Sequence, residues 1–342
     1  LPGGYAGVDV FFVISGFLIT TALLRRSSGD GWLRTFYERR GARLIPNLLL
    51  TLAAAACWHL ISGDFGRRQL LALASGALQV FNLAGIHGGI DPRGLGHLWS
   101  LSVEWQFYAV APFLVIWLAR ARPAAATRLL LGAAAATIAA RVFALETGVS
   151  KVIVYNFTLY RLGGMFLGVA LALGRRASWG ALRRPLAITG LVLLVALPLV
   201  APRWWPHPAI SLLIVMPLVE AATLLVTWGI VGQSLPARSV QLLASRPMVW
   251  IGERSYSLYL WHYLIGVGII AHGTEEWQGL GTFVWQVVAS CAAAVVAYAL
   301  VEQPARIALN RLIDRRHARA SRGVVDASRA SAAAAGGIPG GG

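Results

Sequence analysis

Long apolar runs recur from one end of the chain to the other, and no other sequence feature restricts the fold as tightly. They lie at about 8–24, 42–62, 98–119, 128–145, 156–173, 185–201, 209–232, 255–271 and 281–302. Wound as helices rising about 1.5 Å per residue, runs of this length span about 25–36 Å, the range needed to cross a hydrocarbon layer of about 30 Å. Without water, the backbone must satisfy its own hydrogen bonds, which a helix does within one segment. The expected architecture is all-α, a polytopic transmembrane helical bundle with nine visible spans. Composition agrees with this. Charged residues are 13% of the 342 and hydrophobic residues 57%, whereas soluble domains carry about 25% charged residues.

The remaining charges are distributed unevenly. Arg25, Arg26, Arg34, Arg39, Arg40 and Arg43 fall in one short inter-span loop, and Arg120, Arg122 and Arg128 in another. Arg175, Arg176, Arg183 and Arg184 form a third group, and Arg238, Arg246 and Arg254 precede the eighth span. By the positive-inside rule these loops are cytoplasmic, and the arginine-poor loops 63–97, 146–155, 202–208 and 272–280 face outside. The net charge of +16 is accounted for by this pattern and implies no nucleic-acid partner. Residues 69–84 carry Gln69, Gln79 and Asn82 and are short, so they read as re-entrant or packed on the outer face. Trp204, Trp205, Pro206 and Pro208 suggest an outer interfacial turn. Residues 1–305 are expected to form the membrane domain. Residues 306–342 should be a cytoplasmic tail, basic at first and then Ala/Gly-rich and disordered. The parity places Leu1 outside, and the chain does not begin with Met. A further span is therefore expected upstream, in a multi-pass protein of the plasma (inner) membrane.

Several polar groups interrupt the apolar runs. His97–Tyr108 reads HLWSLSVEWQFY. His97 and Glu104 are two helical turns apart, on one face and about 10 Å from each other. Ser100 and Tyr108 lie one turn to either side of Glu104. A carboxylate inside a span is costly, which marks Glu104 as functional. Asp9, where an outer loop becomes helix, is either a terminal cap or a group that orients a partner on a neighbouring helix. Ser15 and Gly16 read as packing residues. In FYERRGARLIP, Arg39, Arg40 and Arg43 crowd one side of a helix. That suits plain cytoplasmic anchoring or a clamp for phosphates, whose oxygens match guanidinium forks. Ser255, Tyr259 and His262 form one stripe of the eighth span. Arg161 and Glu220 are intramembrane charges that need a partner or a hydrophilic chamber. His59 reads as interfacial, and Cys57 and Cys291 as packing residues outside any disulfide framework. No metal-ligand spacing, phosphate loop or dinucleotide fingerprint is present, nor a GxSxG elbow. General acid–base chemistry is what these groups suit.

In order along the chain, GGYAGVDVFFVISGFLIT, FYERRGARLIP, HLWSLSVEWQFYAVAPF, SYSLYLWHYLI and VEQPAR resemble the acyltransferase-3 family of bacterial membrane acyltransferases. Its members include glycan O-acetyltransferases and macrolide acyltransferases. The resemblance covers the chain apart from its tail. It implies a ten-span bundle that takes an acyl group from cytoplasmic acyl-CoA to a hydroxyl. It also implies that Glu104, His97 and Asp9 serve catalysis and that Arg39, Arg40 and Arg43 meet the CoA phosphates. Arg161, Tyr259, His262, Trp99 and Ser102 would then contact substrate. The family's first span, with its arginine and catalytic histidine, has no counterpart here, which again suggests a fragment.

The expected reaction is O-acyl transfer, of an acetyl group in the first instance. Acetyl-CoA would be the donor, with no bound cofactor. A glycan, a lipid-linked sugar or a macrolide-type compound would accept, in a setting of membrane lipid. A base on the upstream span would take the hydroxyl proton, Glu104 or Asp9 would orient it, and Tyr259 and His262 are candidates for stabilising the oxyanion. Ser100, Ser102 and Ser255 remain open as nucleophiles. The rival reading is a sugar or lipid-linked-substrate transporter or flippase, against which stands the absence of evident inverted repeats. Binding of acyl-CoA separates the two.

Overall fold

A computed structural model describes residues 4–26, 31–86, 88–174, 182–200, 208–266 and 280–316. No strand occurs among them. The helices run in the order α1 (Ala6–Arg26), α2 (Trp32–Ile61), α3 (Arg67–Ala77), α4 (Phe81–Ile86), α5 (Leu98–Ala119) and α6 (Pro123–Glu146). Next come α7 (Lys151–Asn156), α8 (Thr158–Arg161), α9 (Gly163–Leu173), α10 (Arg183–Val200), α11 (Pro208–Ile210) and α12 (Met216–Val231). The last are α13 (Ala237–Leu243), α14 (Arg246–Glu253), α15 (Ser255–Tyr263) and α16 (Leu280–Ala297). Among the described residues six helices are long and apolar enough to cross a membrane. They are Ala6–Arg25, Trp32–Ile61, Leu98–Ala119, Pro123–Glu146, Ser211–Val231 and Gly281–Arg316. The protein is a multi-pass membrane protein.

The tightest packing in the bundle is between α1 and α9, and glycine makes it possible. A Cβ on Gly16 would run into the Met165 carbonyl, and one on Gly168 into the Val13 carbonyl. Both backbones therefore lie closer than any side chain would allow, the usual way that spans gain contact where lipid removes the hydrophobic drive. The main core joins α1, α2, α5, α9 and α15 through Phe12, Leu48, Leu98, Trp99, Phe107, Met165 and Leu260.

The span expected at 156–173 is broken into α7, α8 and α9. At the first break Phe157 is extended, with φ −73° and ψ 131°. Side chains from elsewhere satisfy the interrupted ladder. Asn82 Nδ2 donates to Asn156 O at 3.3 Å and to Thr158 Oγ1 at 2.9 Å, and Thr158 Oγ1 donates to Gln106. Irregular backbone at membrane depth survives under such protection. Residues 69–84 fold as α3 and α4, and at 11 residues the longer is only about 16 Å.

His59 sits in the last turn of α2, buried, with Nδ1 2.9 Å from Asp64 Oδ1. Other expectations shift. Cys57 and Cys291 are exposed free thiols on the outside of the bundle rather than packed within it. The helix that starts in α16 passes through a π-helical turn, Tyr298–Glu302, and continues to Arg316, so the beginning of the expected tail is helical. Arg175 and Arg176, the Trp204–Pro206 turn, the loop 272–279, residues 267–271 and the chain beyond Arg316 lie outside the described residues.

Candidate active site

Helix α5 is the spine of the site. Thirteen of its residues are buried, among them Trp99, Ser100, Ser102, Glu104 and Tyr108. Glu104 is 2% exposed. Its Oε1 accepts from Ser15 Oγ on α1 at 2.8 Å and from the Tyr108 hydroxyl one turn further along α5. The Arg40 guanidinium lies over the Tyr108 ring, 4.7 Å from its centre. The charges of Arg40 and Arg43 both act on the Glu104 carboxylate. This carboxylate is thus held by hydroxyls, with its cations across an aromatic ring.

Asp9 is held differently. Its Oδ1 accepts from Arg161 Nη2 at 2.7 Å, and both side chains are fully buried. The Arg161 guanidinium is boxed by aromatic rings, 5.2 Å from those of Trp99 and Tyr155 and 5.7 Å from that of Phe12. A second buried pair stands beside it. Arg141 Nη2 lies 3.5 Å from Glu220 Oε1, with Arg141 also donating to Tyr160 O at 2.7 Å and to Leu212 O at 3.1 Å. The four charges tie α1, α6, α8 and α12 together and neutralise one another in pairs.

At the opposite end of α5 from Arg40 lies an imidazole–phenol cluster. His97 is 4% exposed, and its ring centre is 4.9 Å from that of Tyr263, 5.2 Å from Tyr259 and 5.8 Å from His262. Neither ring nitrogen makes a well-formed hydrogen bond among the described residues, although the Leu260 backbone acts on the ring. The Tyr259 hydroxyl is committed, 2.5 Å from Ser100 Oγ and donating to His97 O at 2.9 Å. His262 is exposed, with Nδ1 2.7 Å from Tyr259 O. Three polar sites are therefore strung along one helix: His97 at one end, Asp9–Arg161 against Trp99, and Glu104–Tyr108 toward Arg40.

The family description "Acyltransferase domain" matches residues 3–302. The chain belongs to the acyltransferase-3 family. Over 92% of its length it is 31% identical to "Putative peptidoglycan O-acetyltransferase YrhL" of Bacillus subtilis (strain 168), covering 52% of that protein. It is 28% identical to the O-acetyltransferase OatA of Staphylococcus aureus (strain NCTC 8325 / PS 47), over 90% of this chain and 53% of that one. It is also 28% identical to Nodulation protein 10 of Rhizobium leguminosarum bv. viciae, over 91% of this chain and 84% of that one. The chain spans about half the length of the first two relatives. No solved structure matches it.

Within this acyltransferase-3 chain the three arginines at the start of α2 do not act alike. Arg39 Nη2 is 2.8 Å from Asp314 Oδ1 on the last helix, Arg40 turns to Tyr108, and Arg43 is exposed. Ser102 Oγ accepts from Phe81 N at 3.1 Å and donates to Leu98 O at 3.1 Å, which ties α4 to α5. Ser255 is exposed at the start of α15.

Three polar contributors escaped sequence reasoning. Ser15 was classed with packing residues, and Arg141 was hidden in an apolar run. The third is a buried cluster on α2, α15 and the last helix. Asn47 Nδ2 donates to Ser257 Oγ at 2.7 Å and to Glu302 Oε2 at 3.0 Å, and Ser257 Oγ donates to Glu302 Oε2 at 2.5 Å. An asparagine, a serine and a glutamate in three separate apolar runs was the available signal.

Proposed function

We propose that the chain transfers an acyl group, acetyl in the first instance, from acyl-CoA at the arginine-rich end of the bundle to a hydroxyl of a glycan acceptor. The observation that carries this reading is Glu104, a buried carboxylate held by the Ser15 and Tyr108 hydroxyls on the face of α5 that also presents His97. The Bacillus subtilis relative is named a putative peptidoglycan O-acetyltransferase, which supports a glycan over a macrolide or another small acceptor. Family membership supports group transfer over transport.

The acceptor oxygen attacks the thioester carbonyl, a carbon–oxygen bond forms, and the carbon–sulfur bond breaks. The hydroxyl proton passes through a base to the departing CoA thiolate. His97, an enclosed imidazole on the face of α5 that carries Glu104, serves as that base through its unprotonated ring nitrogen, and its burial keeps bulk water from competing. Glu104, with Tyr108 and Ser15, fixes the charge balance about two turns away on the donor side, next to Arg40. Arg40 and Arg43 meet donor phosphates, and Arg39 serves as a strut to the last helix. Arg161 holds Trp99 and Tyr155 as a rigid wall.

The test uses the whole chain in vesicles with labelled acetyl-CoA, following label into extracted glycan. Glu104→Gln should reduce transfer by about 10²-fold or more while the protein stays folded. Arg40→Ala should weaken binding of acetyl-CoA. Wild-type transfer by a folded Glu104→Gln protein sinks the reading.

A further inference from the structure

Between α12 and α15 the chain forms two short helices, α13 and α14, and from 236 to 255 not one residue is buried. The segment is nevertheless rich in large apolar side chains. Val240, Leu242 and Leu243 on α13 are 41%, 65% and 43% exposed, and Met248, Val249, Trp250 and Ile251 on α14 are 43–47% exposed. Arg246 and Glu253 lie seven residues apart and share one face of α14, with Met248 and Ile251 on the opposite face. The basic residues outnumber the single acid, Glu253. Arg238 and Arg246 are exposed, and the Arg254 guanidinium lies 4.3 Å from the Trp250 ring centre and 4.6 Å from that of Tyr298.

The position of the hairpin decides what covers it. It connects the membrane-crossing helix that ends at Val231 to α15, on the side where the inter-span arginines cluster. With 7 and 8 residues, its helices are about 10 and 12 Å long, so neither carries the chain far from the membrane boundary. An amphipathic helix with a basic polar face and an aromatic among its apolar residues suits the plane of an anionic interface. We infer that the α13–α14 hairpin lies flat in the lipid–water interface at the arginine-rich end, its apolar side chains among acyl chains and Arg238 and Arg246 against anionic phospholipid headgroups. This interface anchor would fix the height of α15, and with it Tyr259 and His262. It does not depend on the acyl-transfer reading.

The test places a spin label at Ile251→Cys or at Glu253→Cys, in a Cys57→Ser/Cys291→Ser whole chain. The chain is reconstituted in vesicles of phosphatidylglycerol and phosphatidylcholine. Collision rates with oxygen, which enters lipid, and with a water-soluble nickel chelate report depth. The oxygen-to-chelate ratio at 251 should exceed that at 253 severalfold. Equal chelate access at both positions puts the hairpin in water and overturns the inference. Shielding of both from both reagents means a protein surface covers it and overturns it equally. The headgroup contact has its own arm. Removing phosphatidylglycerol should move the label at 251 to a shallower depth, and Arg238→Gln/Arg246→Gln should abolish that dependence. A depth that ignores lipid charge in the unsubstituted protein refutes the headgroup contact.

Discussion

Asp9 and Glu104 are both fully enclosed carboxylates on neighbouring helices, yet the chain treats them in opposite ways. Asp9 is matched by a guanidinium at contact distance, Arg161, itself caged by three aromatic rings. Glu104 is offered only hydroxyls, and its nearest cation is stacked on the far side of one of them. The first arrangement leaves little freedom to change charge, because either partner alone would be a bare ion in a low-dielectric interior. The second can trade protons along short hydroxyl bonds. The two carboxylates thus differ in their partners, a guanidinium for Asp9 and hydroxyls for Glu104.

Asp9→Asn is the severest way to break this contrast. It strands Arg161 and should cost about 3–5 kcal/mol, seen as a large fall in thermal midpoint in detergent. Asp9→Asn/Arg161→Gln should recover much of that loss. An Asp9→Asn protein as stable as wild type would mean that Glu220 meets the charge of Arg161, and the contrast would collapse. Ser15→Ala and Glu104→Gln should each change stability by about 0.6 kcal/mol, the typical worth of a polar contact between spans. A cost for Glu104→Gln as large as for Asp9→Asn would make Glu104 structural too.

The mildest effect is expected outside the membrane. Burial alone would raise Asp91, but hydrogen bonds and charge from Arg93 hold its carboxyl below the ordinary value, at 2.5 Å between Arg93 Nη2 and Asp91 Oδ2. A depressed carboxyl stabilises the fold above its unfolded value, near about 3.9, and loses that contribution as pH falls through the folded value. Asp91→Asn should therefore lower the thermal midpoint slightly at pH 7 and have no effect in strong acid. An equal shift at both pH values would assign the loss to packing instead of charge.

Much of the fold was legible because a bilayer leaves few options, and apolar runs of the right length declare themselves. Asp9, His97, Glu104 and Arg161 were legible for the same reason, as polar groups where they are costly. The break at Phe157 was not, since Phe157 is as apolar as its neighbours and the side chain that meets the opened Asn156 carbonyl, Asn82, comes from 74 residues away. Arg39, Arg40 and Arg43 showed that charge would cluster. Only the partners across the bundle, Asp314 and Tyr108, assign them separate tasks. Ser15 was misread because a small residue in a span is usually there for close approach, and here Gly16 fills that role.

Helix α2 has 30 residues and the helix ending at Arg316 has 36, about 45 and 54 Å against a hydrocarbon layer of about 30 Å. Both overshoot the layer, and Arg39–Asp314 clasps them together at the arginine-rich end. Deeper in the bundle the buried Asn47–Glu302 hydrogen bond joins the same two helices, so a change in bilayer thickness is expected to tilt or slide them as one lever. Tyr37 Oη on α2 donates to Ala109 O on α5 at 3.0 Å, so that lever also bears on the end of α5 where the Arg40 guanidinium covers the Tyr108 ring.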